Sequence, residues 1–292
     1  MSRTLLPVCL IATVIGVGAH AETPRVAVDI APVHALVARV MAGVGAPDLI
    51  VAQGASPHEY SLRPSEARAL QDADLVFWVG PDLTPWLADA VASLAGSEKA
   101  TALLHSEGSL VLPIREGALF ETHDHGADDD DEDGHDEHGH DEDGHDAHGH
   151  DEDGHDEHGH GEHGHGASDP HAWLSPENGA VWLGVIAAQL SAADPANAAT
   201  YGANAAAGQA EIAALTAEIV AVLTPLRGKR FVVFHDAYQY FEHSFDMPAA
   251  GSITLSDASD PSPARIAEVQ DRIRTDAITC VLAEPQFNPG LV

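Results

Sequence analysis

From Arg25 to His105 short apolar runs alternate with amphipathic ones, and this alternation confines the chain to few folds. RVAVDI (25–30) reads as a strand, PVHALVARVMAG (32–43) as a helix ending near Gly43, and PDLIVA (47–52) as a second strand. RPSEARALQDA (63–73) opens a helix with Pro64 in its first turn, where a missing N–H costs nothing. DLVFWVG (74–80) is a third strand, TPWLADAVASLAG (84–96) a helix and KATALLH (99–105) a strand. Strands separated by single helices form βα units, so the expected fold class is α/β with parallel sheets.

The pattern breaks between His123 and His165. This tract repeats GHDEHGHDED with small variations and holds 13 of the 20 histidines, 19 acidic residues and no Lys or Arg. It lacks the apolar side chains that would offset chain entropy, so it is expected to be disordered without a ligand. The formal net charge is −33, and without the tract's acids it would be −14. That balance argues against nucleic acid and anionic membrane surfaces as partners and suits cations.

Order resumes at SPENGAVWLGVIAAQL (175–190), where Ser175, Pro176 and Glu177 make a helix start. Asp194 and Pro195 fit the N-cap and first position of a long helix. Ile212, Leu215, Ile219 and Val222 recur at helical spacing, and Pro225 with Gly228 ends the pattern. About 30 helical residues would span about 45 Å, enough to join two lobes. A second alternation follows: KRFVVFH (229–235), DAYQYFEHSF (236–245), GSITL (251–255), SPARIAEVQDRIR (262–274) and AITCVLAE (277–284). The expected organisation is residues 1–21 as a leader, 22–190 as a first lobe carrying the 121–167 loop, 191–227 as the connecting helix and 228–292 as a second lobe.

The leader reading rests on a basic start (MSRT), a short apolar run and the small-x-small triplet Ala19-His20-Ala21. It predicts an exported chain beginning near Glu22, and no later run of consecutive apolar residues suggests a membrane span. With Cys9 in the leader, Cys280 is a lone thiol.

Outside the tract and leader six histidines remain. His34 and His243 fall on predicted helices and His105 at a strand end; these are read as ordinary surface histidines. His58 lies in a strand-to-helix loop, His171 just before a helix, and His235 at the end of an apolar strand. Ligands of open α/β sheets gather at the carboxyl ends of strands, and three imidazoles meeting there would suit Zn²⁺. Spacing alone does not join them.

The words around them do. GASPHEYSLRPSEARALQDADLVFWVGPDL, DPHAWLSPEN, FVVFHDAYQYF and TCVLAEPQFNP resemble the ZnuA-like zinc-specific substrate-binding proteins of bacterial ABC importers, from about Arg25 to the last residue. An acidic, histidine-rich loop at this point also resembles that family. The resemblance implies two α/β lobes joined by one long rigid helix, with a metal site in the cleft. It places the three ligands at His58, His171 and His235. Manganese-binding relatives carry a carboxylate at the third position, so His235 favours zinc, as does the softness of nitrogen donors. Pro57 stands where some members have a Glu, which leaves water, Glu59 or a residue beyond Val292 as the fourth ligand. Against the family pattern the second lobe looks C-terminally incomplete, with the usual disulfide partner of Cys280 missing.

The expected function is capture of Zn²⁺, as cargo, by a monomeric periplasmic protein. Delivery is to an ABC importer permease with its cytoplasmic ATPase. His135, His138, His140, His145, His148, His150, His155, His158, His160, His163 and His165 are candidate accessory weak Zn²⁺ ligands, collecting or sensing metal; the alternative is a solvated acidic spacer. An exported zinc buffer or adhesin on the same fold is the competing reading. A zinc hydrolase is a third, since three histidines and a water are also catalytic. The sequence has no HExxH and no general base tied by motif to the site, so no enzymatic activity is expected.

Overall fold

A computed structural model describes residues 23–115, 117, 119–120, 168–254, 261–285, 287 and 290. The leader and the histidine-rich tract lie outside the described residues.

Two parallel sheets form the two lobes. The first has the order β2-β1-β3-β4, from β1 (Val26–Val28), β2 (Asp48–Leu49), β3 (Leu75–Trp78) and β4 (Ala100–Ala102). The second has the order β6-β5-β7, from β5 (Val232–His235), β6 (Ser252–Thr254) and β7 (Val281–Leu282). Every pairing is parallel. The strands are shorter than the apolar runs that signalled them because the runs continue past the ladder. Ile50 and Val51 still donate to Val28 and Asp29, and Leu103 and Leu104 to Trp78 and Val79.

Helices α1 (Ala31–Val40), α2 (Pro64–Asp72) and α3 (Pro85–Ala90) cross between the strands of the first lobe. The last turn of α3 widens to a π turn over Val91–Ala95 before Gly96 reverses the chain at φ 93°. Helix α4 (Pro176–Ala193) begins where Ser175 accepts from the Asn178 N–H, as the capping pattern predicts. It seals the first core with Trp182, Leu183, Ile186 and Leu190, all packed with Val33, Val37, Val40 and Phe77. In the second lobe α6 (Gln239–Phe245) and α7 (Pro263–Thr275) flank the sheet.

The long helix is α5, Ala198–Leu223, 26 residues and so about 39 Å. It is shorter than the sequence pattern suggested. Asp194 does cap a helical start, but that of a separate 3-10 turn, Pro195–Asn197. Its carboxylate accepts from Asn197 and from the buried Tyr201 hydroxyl, at 2.7 and 2.9 Å. These bonds turn the chain once before α5 begins.

By length and hydropathy the segment Pro195–Leu226 could cross a membrane. Here it joins the two lobes. Tyr201 and Ala205 belong to the first core, while Ile219 and Leu223 pack on the second around Phe231, Val233 and Phe245. Close approach requires Gly208, since a Cβ there would meet Leu183 Cδ1 at 2.9 Å. Arg39 of α1 adds a two-pronged bond to Glu211, 2.9 and 2.8 Å.

The chain entering the tract does not stay on the first lobe. Pro113 pairs with Ser168, but Leu119 pairs with Gly251 beside β6. Phe120 is buried in the second core with Phe231, Val233 and Met247. Pro113 on the first lobe and Leu119 with Phe120 on the second thus mark a strap between the two.

Candidate metal centre

His58, His171 and His235 meet at the carboxyl ends of the two sheets, in the cleft between the lobes. One ligand atom from each lies within 4.8 Å of the others. The ring centroids are 5.2 Å (His58–His171), 5.5 Å (His58–His235) and 4.9 Å (His171–His235) apart. His171 and His235 are 5% and 4% exposed, and His58 is half-buried.

Each imidazole is held by a different device. The His58 loop is fixed at both flanks: Trp86 Nε1 donates to the Pro57 carbonyl (2.8 Å), and the Tyr60 hydroxyl donates to Glu66 (2.8 Å). Glu66 also accepts from the Arg63 N–H at 2.7 Å, closing the start of α2. His235 is the last residue of β5, and its register opposite Thr254 sets its place. His171 precedes a 3-10 turn (Ala172–Leu174) that Asn178 ties down by donating to the Ala172 carbonyl at 3.1 Å.

The distances suit a metal. Two nitrogens about 2.0–2.1 Å from a tetrahedral Zn²⁺ stand about 3.3 Å apart. His58 Nε2 and His171 Nε2 are 3.2 Å apart. Asp169 explains how His171 presents that nitrogen. Its Oδ1 lies 2.7 Å from His171 Nδ1 and accepts the His171 backbone N–H at 2.9 Å. A carboxylate on Nδ1 keeps the proton there and leaves the Nε2 lone pair for a metal. Gln239 of α6, oriented to donate, reaches Asp169 Oδ2 at 2.9 Å and the Pro113 carbonyl at 3.0 Å. Burial pushes the Asp169 carboxyl up to about 6, against the His171 N–H and the charges of Arg115 and His58, which pull it down.

Glu284, just past β7, stands 3.8 Å from His235 Nδ1, with its side chain 15% exposed. Burial pushes the Tyr238 hydroxyl up to about 12, helped by the charge and hydrogen bond of Glu284. Pro57, Trp173, Tyr238 and Glu284 complete a cavity of about 160 Å³ on one side of the histidines. On the other side Asp82, Ile114, Arg115, Asp169 and Asp236 line one of about 220 Å³.

Sequence reasoning quoted DPHAWL and TCVLAEPQF but gave Asp169 and Glu284 no role. A carboxylate two residues before a candidate ligand, and another at a strand end, were the available signals. Glu59, weighed as a fourth ligand, is exposed and lies outside the cluster. His34 Nε2 donates to the Pro47 carbonyl at 3.2 Å and His105 pairs with Asp82 at 2.9 Å; neither histidine belongs to the cluster, although Asp82 lines the cavity beside it. Cys280 is exposed and unbridged.

Residues 26–292 match the model of the ZnuA family, described as zinc-uptake complex component A, periplasmic. The chain belongs to the ZnuA family. Among its relatives is the high-affinity zinc uptake system protein ZnuA of Paracoccus denitrificans (strain Pd 1222). It is 48% identical over 274 residues, covering 94% of this chain and 80% of that protein. The protein of the same name from Brucella abortus (strain 2308) is 46% identical, covering 93% and 79%. A crystal structure of ZnuA superposes with a TM-score of 0.66 at 19% identity, covering 92% of this chain and 85% of that one. The Streptococcus pneumoniae AdcAII protein matches with the same score at 19% identity, covering 92% and 83%. At that identity the two structures establish the ZnuA fold: two α/β lobes with parallel sheets joined by a long helix.

Proposed function

We propose that this chain is the zinc-capturing component of an uptake system. It binds Zn²⁺ as cargo through His58, His171 and His235 in the periplasm and hands it to an ABC-type permease driven by a cytoplasmic ATPase. The observation that carries the reading is the convergence of three imidazole nitrogens from both lobes, one pair already at tetrahedral spacing. The names of the family and of the curated relatives support it. A nitrogen donor set favours Zn²⁺ over harder cations. Residues 1–21 act as the export leader, residues 22–190 and 228–292 as the lobes, and residues 191–227 as their connection. The protein works as a monomer and performs no chemistry on its cargo.

A strain lacking this gene should grow poorly in zinc-depleted medium and recover with added zinc. Normal growth there, together with binding of the purified protein to an extracellular matrix protein, would favour an adhesin instead.

The tract collects zinc without forming the tight site. Imidazole with its reference pKa of about 6.5 is mostly neutral and ligand-competent near pH 7, and histidines separated by glycine offer many interchangeable ligand sets rather than one fixed site. Protein lacking residues 123–165 should therefore retain one tight equivalent of Zn²⁺ in a calorimetric titration and lose the weaker ones. Disappearance of the tight equivalent would move the site into the tract.

A further inference from the structure

The candidate site takes two ligands from the first lobe and one from the second, so whatever holds the lobes together also holds the ligand set together. Among the described residues, polar contacts cross between the lobes at the cleft through α6, where Gln239 reaches Asp169 Oδ2 and the Pro113 carbonyl. The Tyr240 hydroxyl on α6 accepts from the Leu112 N–H (3.0 Å) and donates to the Asp169 carbonyl (2.9 Å). A further contact of several bonds is made by Arg115, on the strap. Its guanidinium donates to both oxygens of Asp236 and to both oxygens of Glu242, the latter at 2.8 and 2.9 Å. Asp236 is the residue next to His235 in the chain, and Glu242 lies on α6.

This clasp is built rather than incidental. The Arg115 side chain is 18% exposed, and those of Asp236 and Glu242 are 7% and 8% exposed. The guanidinium also stacks on the Phe120 ring, 3.7 Å from its centroid. Glu242 spends one oxygen on the Ala249 N–H as well, 3.0 Å. A planar fork that stays charged at any ordinary pH suits two carboxylates in a water-poor site better than an ammonium would. Two backbone positions before Arg115, Pro113 pairs with Ser168, the neighbour of Asp169. Arg115 therefore connects the peptide that orients His171 to the peptide that carries His235.

We propose that Arg115 is a positioning residue of the metal centre, clasping Asp236 and Glu242 so that His235 stays in register with His58 and His171 and the ion is retained. The proposal rests on the reading of the three histidines as ligands. Arg115 lines the cavity beside the three imidazoles, and its guanidinium is engaged by Asp236 and Glu242. It acts through the backbone of residues 235–236 and through α6. Breaking it frees the second lobe to carry His235 away from a pair that remains at coordination spacing.

The test uses the full chain loaded with Zn²⁺, with release to a chelator followed by stopped flow. Arg115→Ala and Glu242→Gln should each release the ion about 10- to 100-fold faster, the range for removal of a group that orients metal ligands. Arg115→Lys should be intermediate. Glu242→Gln keeps the side-chain volume and the Ala249 contact, so it carries the test if Arg115→Ala does not fold. The visible absorption bands of the Co²⁺-loaded variants should shift, because loosening His235 changes the ligand geometry; loss of stability alone would not move them. Release at the parental rate with parental Co²⁺ bands in both variants would overturn the clasp while leaving the histidine site standing. Tight Zn²⁺ binding in all three alanine variants of the histidines would remove the site itself, and the clasp with it.

Discussion

His171→Ala should bind Zn²⁺ on the order of a hundredfold to a thousandfold more weakly than the parent. A four-ligand zinc site is worth about 10–16 kcal/mol, or roughly 2.5–4 kcal/mol per ligand. His171 is chosen because it supplies one member of the pair already 3.2 Å apart and is 5% exposed, so water has poor access to replace it. His58→Ala and His235→Ala should follow the same pattern, with His58 somewhat milder because its half-buried position admits a water ligand. Two measurements read the effect. A competition titration against a chelator gives the affinity. The rise in Tm on adding zinc gives it independently, since a ligand at about a thousand times its Kd stabilises by about 4 kcal/mol. In the variants that gain should shrink to about 0.4–1.4 kcal/mol at the same zinc concentration while the metal-free Tm changes little. Tight binding in all three variants would sink the site.

The second large effect belongs to a residue that does not touch the metal. Asp169→Ala should weaken zinc binding about 10- to 100-fold, with Asp169→Asn in between. The bond from His171 Nδ1 to Asp169 Oδ1 is 2.7 Å, short enough to be charge-assisted. It fixes the tautomer that turns Nε2 toward His58. Without it the ring can place its proton on Nε2 and rotate, and binding must first restore the competent form. An amide oxygen at position 169 can still accept from Nδ1–H but lacks the charge that raises ligand basicity. Nitrogen chemical shifts of the His171 ring in the metal-free protein would report the tautomer directly. An Asp169→Ala protein with parental affinity and an unchanged tautomer would show that packing against Trp173, 5.4 Å away between centroids, is enough to hold the ring.

These two expectations differ in how they could have been found. His58, His171 and His235 were named from the words around them, and the structure brings their rings together. Their spacing would never have joined them, because 113 positions separate His58 from His171. Asp169 sits two residues from His171 within a quoted motif, yet a carboxylate in a loop is usually just solvated. Its role becomes visible only once its oxygen is seen against Nδ1. Arg115 was harder still. It lies at the edge of a tract whose composition drew all the attention, and its partners are 121 and 127 positions away.

The sequence by itself determined the alternation of strands and helices, the parallel class of both sheets and the presence of a long helix. Those properties follow from hydrophobic period, capping residues and Pro/Gly punctuation, which act over a few residues at a time. It overran the strands and the long helix at their ends, because ladder pairing and the Asp194–Tyr201 contact are not written in local propensity. Only the tertiary structure decided that Leu119 and Phe120 rest on the second lobe, which carboxylate orients which histidine, and that one arginine bridges the cleft. The physical reason is that these are pairings between distant polar groups. Such pairings are selected by burial: a charged or polar side chain taken from water must find whatever partner the packed fold brings within hydrogen-bond reach.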